Sequence, residues 1–306
     1  MRKILSNKWI SIILALLCTV LWGSAYPVIK LAYRELSIAE TGDKLLFAGI
    51  RFAIAGVMVF IAALIIRRRV PLIGRDRWGW VLLLGAVQTG LMYFFNYIGV
   101  SNTTATKTSV LTALSAFLSV LIAPLFFKGE RLSPYKIIGI ILGFAGIMAV
   151  NFSSFDFSFS LIGEGFIILA TVLNTAGGFL SKKISKGKVF ETTAYQLFFG
   201  GVMLILAACI MGWSVTITPT GVWITLYLAF VSAAAFTIWT ALLVYNEAGQ
   251  ILIFNLFIPV TGAVWSYLVL GEREIFDPMY LISVVLISAG ILLVNSHRKP
   301  RDNSTD

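Results

Sequence analysis

The sequence predicts an all-α integral membrane protein of ten transmembrane helices, built as two inverted five-helix repeats. Three observations carry this expectation. The composition is too apolar for a soluble fold, the chain divides into ten hydrophobic runs, and short matches recur in the same order in both halves.

Of 306 residues, 58% are hydrophobic and only 12% are charged, against roughly a quarter charged in soluble domains. At a mean hydropathy of +0.91 there is too little polar sequence to cover the apolar residues, so lipid must solvate most of the surface. Runs bounded by charged or turn-forming residues place spans at 9–32, 44–66, 78–98, 104–127, 134–151, 161–181, 191–212, 221–245, 249–270 and 278–296. The first run is too long for a signal-peptide core and lacks an A-x-A cleavage site, so it is expected to stay as a helix. Cys18 and Cys209 lie inside apolar runs and read as small hydrophobes.

The net charge of +10 is a topology signal. With the N terminus in the cytoplasm, most Lys and Arg fall in inside segments, whereas Lys30, Arg34, Lys44 and Arg273 fall outside. This predicts a multi-pass plasma-membrane protein with both termini cytoplasmic, its cations facing anionic lipid headgroups rather than nucleic acid.

Four matches define the repeat. Thr19-Val20-Leu21 corresponds to Thr171-Val172-Leu173, and the run Gly56 to Ala63 to the run Gly201 to Ala208. Gly129-Glu130-Arg131 corresponds to Gly271-Glu272-Arg273, and Ala145-Gly146-Ile147 with Asn151 to Ala289-Gly290-Ile291 with Asn295. The expected units are a first repeat at 1–152, a second at 153–296 and a polar, disordered cytoplasmic tail at 297–306 that holds the only histidine, His297. Five helices is an odd number, so the second half enters the membrane from the opposite side, an arrangement suited to alternating access.

The Trp22-Gly23-Ser24 turn, Arg51-Phe52, both Gly-Glu-Arg motifs with Pro134 and Pro278, the Ala-Gly-Ile helices and Pro259 together resemble the drug/metabolite transporter superfamily, in its ten-helix EamA-type branch. The resemblance covers nearly the whole chain. Two departures stand out: Phe117 occupies the place of Pro259 in the first half, and Asn174-Thr175 replaces the Trp-Gly pair in the sixth helix. The resemblance implies a carrier of a small organic metabolite and a central cavity lined by helices 1, 3, 4, 6, 8 and 9, with helices 5 and 10 peripheral.

Candidate substrate contacts are intramembrane polar and aromatic residues. Trp22 and Tyr26 share a face of helix 1, and Gln88 and Asn96 fall at helical spacing in helix 3 beside Tyr93 and Tyr97. Asn174 lies on a Thr171-Asn174-Thr175 stripe, and Trp239 and Asn255, with Asn246, are the counterparts in helices 8 and 9. For each alone, interhelical hydrogen bonding is the competing reading. Lys107, near the outer start of helix 4 with no acid at helical spacing, reads either as an anion contact or as a lysine snorkelling to the interface. Arg51 in helix 2 is expected to serve structure or gating.

Ser133-Pro134 and Asp277-Pro278 are helix starts, and the preceding Glu130 and Glu272 read first as end-of-helix charges, with a salt-bridged gate between the halves as the functional alternative. Gly139 and Gly143 form a GxxxG pattern that packs either within the chain or as a homodimer seam. No cofactor, metal or ATP-binding motif is expected, and no paired carboxylates or Ser-His arrangement suggest an enzyme. A secondary transporter, exporting an amino acid or similar solute, is the leading expectation. A membrane-embedded enzyme and a lipid-binding or assembly subunit are its rivals.

Overall fold

The computed structural model describes residues 2–68, 70–151 and 158–296. The expected tail 297–306, with His297, lies outside the described residues. Among them, ten helices are long and apolar enough to cross a membrane. They are α1 (Lys8–Glu35), α2 (Thr41–Arg67), α3 (Arg75–Ser101), α4 (Ala105–Phe126), α5 (Pro134–Asn151), α6 (Leu161–Ile184), α7 (Val189–Met211), α8 (Pro219–Tyr245), α9 (Ala248–Leu270) and α10 (Pro278–Ser296). Each coincides with an expected span.

The helix starts follow local chemistry. The Asn7 carboxamide accepts from the N–H groups of Trp9 and Ile10, and the Thr104 and Thr218 hydroxyls accept from Lys107 and Gly221. Ser133 and Asp277 cap α5 and α10 as expected, accepting from the N–H groups of Lys136 and Met279. After α4 and α9, Gly129 and Gly271 take φ values of +100° and +72°, where an L side chain is strained.

Helices matched by the repeat are packing partners: α2 runs along α7, and α5 along α10. The first helix of each half crosses into the other, so that α1 packs on α8 and α9 while α6 packs on α3 and α4. The end of α6 lies beside the start of α1. Lys182 donates to the Asn246 carbonyl at 2.7 Å, and the Asn246 amide donates to the Leu5 carbonyl at 3.0 Å. The two first helices are therefore antiparallel.

Three helices are irregular. Within α3, the stretch Gly85–Leu91 is π-helical. The first residues of α6, Leu161–Gly165, are π-helical as well. In α9, Ile253–Phe257 tightens to a 3-10 turn just before Pro259, which has no N–H to continue the ladder.

The glycine seam is used inside the chain. A methyl group on Gly290 would stand 2.4 Å from the Gly139 carbonyl oxygen, and one on Gly143 would stand 2.5 Å from Leu256 Cδ1. Of the two readings of Gly139 and Gly143, packing within the chain is the one seen, because α10 and α9 of the same chain cover that face. Gly290→Ala is expected to lower stability by about 1–3 kcal/mol through overpacking, whereas Gly79→Ala, which meets nothing within 4 Å, leaves the melting temperature unchanged. Thermal unfolding of the two variants in the same detergent checks this.

Candidate functional site

An aromatic wall crosses the interior and joins four helices. Trp22 of α1 meets Trp239 and Phe236 of α8 edge to face, with ring centroids 5.0 and 5.6 Å apart. Phe236 meets Phe52 of α2 at 6.1 Å, Phe52 meets Tyr93 of α3 at 4.5 Å, and Tyr93 meets Tyr97 at 6.2 Å. The Arg51 guanidinium of α2 lies over the Phe52 ring of this wall.

Tyr26 is 55% exposed, yet it shares the Trp22 face of α1, turned away from the lipid-facing stripe of Ile13, Leu17 and Val20. A methyl group on Gly262 of α9 would stand 3.4 Å from the Tyr26 ring, so the ring is set between helices. Trp22 and Trp239 are therefore in ring contact, and Tyr26 lies one turn further along α1 beside Gly262.

Gln88 does not join them. It is buried between Gly177 of α6 and Gln196 of α7, whose amide donates to Gln88 Oε1 at 3.0 Å. The i, i+4, i+8 stripe from Gln88 to Asn96 assumed a uniform α-helix. Gln88 lies in the π-helical stretch Gly85–Leu91, where that uniform spacing does not apply. Asn96, Asn174 and Asn255 are half-buried on α3, α6 and α9. Their side chains have no hydrogen-bond partner among the described residues. The neighbours of Asn174 act as helix glue, since the Thr171 and Thr175 hydroxyls approach the Leu111 and Ser115 carbonyls of α4 at 3.3 and 3.4 Å.

Lys107 is neither bare nor snorkelling. It is buried and ion-paired with Glu164 at 3.1 Å, and it donates to the Ser158 carbonyl and hydroxyl at 2.5 and 2.8 Å. Glu164 also accepts from the Thr103 hydroxyl and the Ser160 N–H. The neutralising acid comes from α6, far away in sequence, which a search at helical spacing within α4 does not reach. Asn246 serves the end of the bundle, bonded to Leu5, Ser11 and Lys182.

Glu130 and Glu272 form the ion pairs between the halves that the alternative reading allowed, and the sequence reading missed only their lysine partners. Lys182 pairs with Glu130, whose carboxylate also accepts from the N–H groups of Ala248 and Gly249 at the start of α9. Glu130 therefore caps α9 rather than α5, the helix that follows it in sequence. At the opposite end Lys30 pairs with Glu272 at 2.8 Å. A signal was present: Lys182 follows Lys30 by the same interval that separates Thr171 from Thr19.

The comparisons agree with this architecture. The model of the EamA-like transporter family matches residues 9–152 and again 161–296. The uncharacterized transporter YvbV of Bacillus subtilis (strain 168) is 28% identical over 287 residues, covering 92% of this chain and 90% of that protein. A protein of Escherichia coli (strain K12) named a probable amino-acid metabolite efflux pump is 26% identical over 295 residues, covering 92% and 93%. A crystal structure at 19% identity shares the fold with a TM-score of 0.77, covering 91% of this chain and 95% of the other.

The Lys107 network has a direct test. Lys107→Ala strands the Glu164 carboxylate in a buried site, and the expected loss is about 3–5 kcal/mol. Adding Glu164→Gln to Lys107→Ala restores part of it, a coupling that a double-mutant cycle of thermal unfolding measures.

Proposed function

Because the chain belongs to the EamA-like transporter family, we propose that it is a secondary transporter that exports a small organic metabolite, an amino acid or similar solute, across the plasma membrane. Two inverted halves, 1–152 and 153–296, exchange conformations around the aromatic wall, and both termini face the cytoplasm. The efflux name of the Escherichia coli relative supports the direction, and the Lys and Arg distribution supports the orientation.

One observation carries the mechanism. Glu130–Lys182 and Glu272–Lys30 occupy matching positions of the two repeats but differ in state. The first pair is sealed, its Lys and Glu side chains 6% and 5% exposed, and it locks the start of α9. The second is open to solvent at 53% and 33%. A buried pair at one end and an exposed counterpart at the other is what an outward-facing carrier presents. Exchange of the halves would seal Glu272–Lys30 against the start of α4 and open Glu130–Lys182. No ligand of Glu130 is lost without a replacement, since water reaches the pair as it opens.

Alternating access predicts opposite effects for the two pairs. In a background lacking Cys18 and Cys209, Ser185→Cys places a thiol at the sealed end, where the native hydroxyl is buried and unpaired. Glu130→Gln is expected to speed its labelling by a membrane-impermeant maleimide about tenfold, and Glu272→Gln to leave it as slow as before or slower. Equal labelling in all three proteins, or the same acceleration by both variants, would sink the alternating-access reading.

A further inference from the structure

Four basic side chains are buried among the described residues: Arg51, Lys107, Lys136 and Lys182. Three have an acid in contact, Glu164 for Lys107, Glu247 for Lys136 and Glu130 for Lys182. Arg51 has none. It is 5% exposed, its Nε is sealed without a hydrogen-bond partner, and no described carboxylate pairs with it. At that exposure it does not snorkel to the membrane surface.

Its surroundings are aromatic and neutral. The guanidinium carbon lies 4.4 Å from the centre of the Phe52 ring, which itself packs on the Tyr93 ring at 4.5 Å. The nearest acid along α2, Asp43, is already engaged by the Ser214 N–H at 2.6 Å and the Glu40 N–H at 3.0 Å. A buried cation without a counter-ion costs several kcal/mol. A lysine could relieve that cost by releasing its proton, but an arginine keeps its charge at any accessible pH.

We propose that Arg51 is the carboxylate-recognition residue of the transport site, and that the transported solute is a monocarboxylate with an apolar or aromatic body. This rests on the transporter reading above and narrows it to a substrate class. The planar guanidinium matches a carboxylate by two parallel hydrogen bonds. The Phe52-Phe236-Trp22-Trp239 run receives the apolar body. An α-ammonium group, where the solute carries one, rests on aromatic faces. Among the described residues, a second negative charge finds no buried cation that is not already paired, which disfavours dicarboxylates and phosphate esters.

A matched series of ligands tests this by thermal stability of the purified full chain in detergent. The probes are 3-phenylpropionate, L-phenylalanine, phenethylamine and 3-phenyl-1-propanol, which share one body and differ in the charged group. A ligand that binds the folded state raises the melting temperature with concentration. The two carboxylates are expected to stabilise the protein, and the amine and alcohol are not. Arg51→Gln should weaken carboxylate binding about a hundredfold, and Arg51→Lys should retain part of it. Equal stabilisation by the alcohol, an unchanged carboxylate response in Arg51→Gln, or no response to either carboxylate overturns the proposal. If Arg51→Gln does not fold, the wild-type series decides on its own. The Ser185→Cys labelling depends on the end pairs and not on Arg51, so it reports on the transport reading separately.

Discussion

Inside a bilayer there is no water to satisfy a stray polar group, so each buried donor, acceptor or charge must find its partner within the protein or in an internal cavity. That constraint organises this molecule more than hydrophobic burial does, because lipid already solvates apolar side chains and gives helices little reason to associate. Close packing and polar contact must hold the bundle instead. The carbonyl-to-glycine approach of α5 and α10 supplies the first, and the Gln88–Gln196 amide pair across α3 and α7 supplies the second. The ion pairs add directionality: each of Lys107–Glu164, Lys136–Glu247 and Lys182–Glu130 ties one particular helix end to another.

The same constraint explains why the halves interlock rather than stand side by side. α1 lies against α8 and α9, and α6 against α3 and α4, so neither half closes its own interior. The polar groups at the end of α6 are satisfied by the first half through Glu130, and those at the start of α1 by the second through Asn246. A rigid contact of this kind would fix the bundle in one state. Under the proposed function, what would make it reversible is that the acid of each pair sits at a helix end near the aqueous boundary, where water would substitute for the lost partner.

Much of this was legible in the chain itself, and the reasons differ by feature. Span positions depend on local composition summed over about 20 residues, so all ten emerged, and the collinear matches exposed the repeat before any geometry was known. The pairing of Trp22 with Tyr26 also survived, because α1 keeps a regular helical period up to Pro27. The Gln88–Asn96 stripe assumed a uniform helix, and nothing in Gly85 to Leu91 announces the π-helical stretch that interrupts it. Lys107 was read without a counter-ion because its acid arrives from another helix, and Arg51 was read as serving structure or gating because helix 2 was not among the expected cavity-lining helices. In both cases the deciding information was which helices face each other, and that is not local.

Arg51 and Lys107 make an instructive contrast, since both are buried cations in apolar helices and differ in who supplies the negative charge. Glu164 is covalently part of the chain, so the Lys107 site is satisfied in any conformation that keeps α4 and α6 together. That suits a fixed joint. A site meant for a solute must remain short of one charge when empty, and the deficit then becomes binding free energy when a carboxylate enters. The deficit has to be moderate, because a fully stranded charge would unfold the helix. Setting the guanidinium over a phenylalanine face that packs on Tyr93 offsets part of it without cancelling it. Under the proposed function, the incomplete compensation at Arg51 is therefore the feature that favours a loaded site over an empty one, while the complete compensation at Lys107 holds the framework around it.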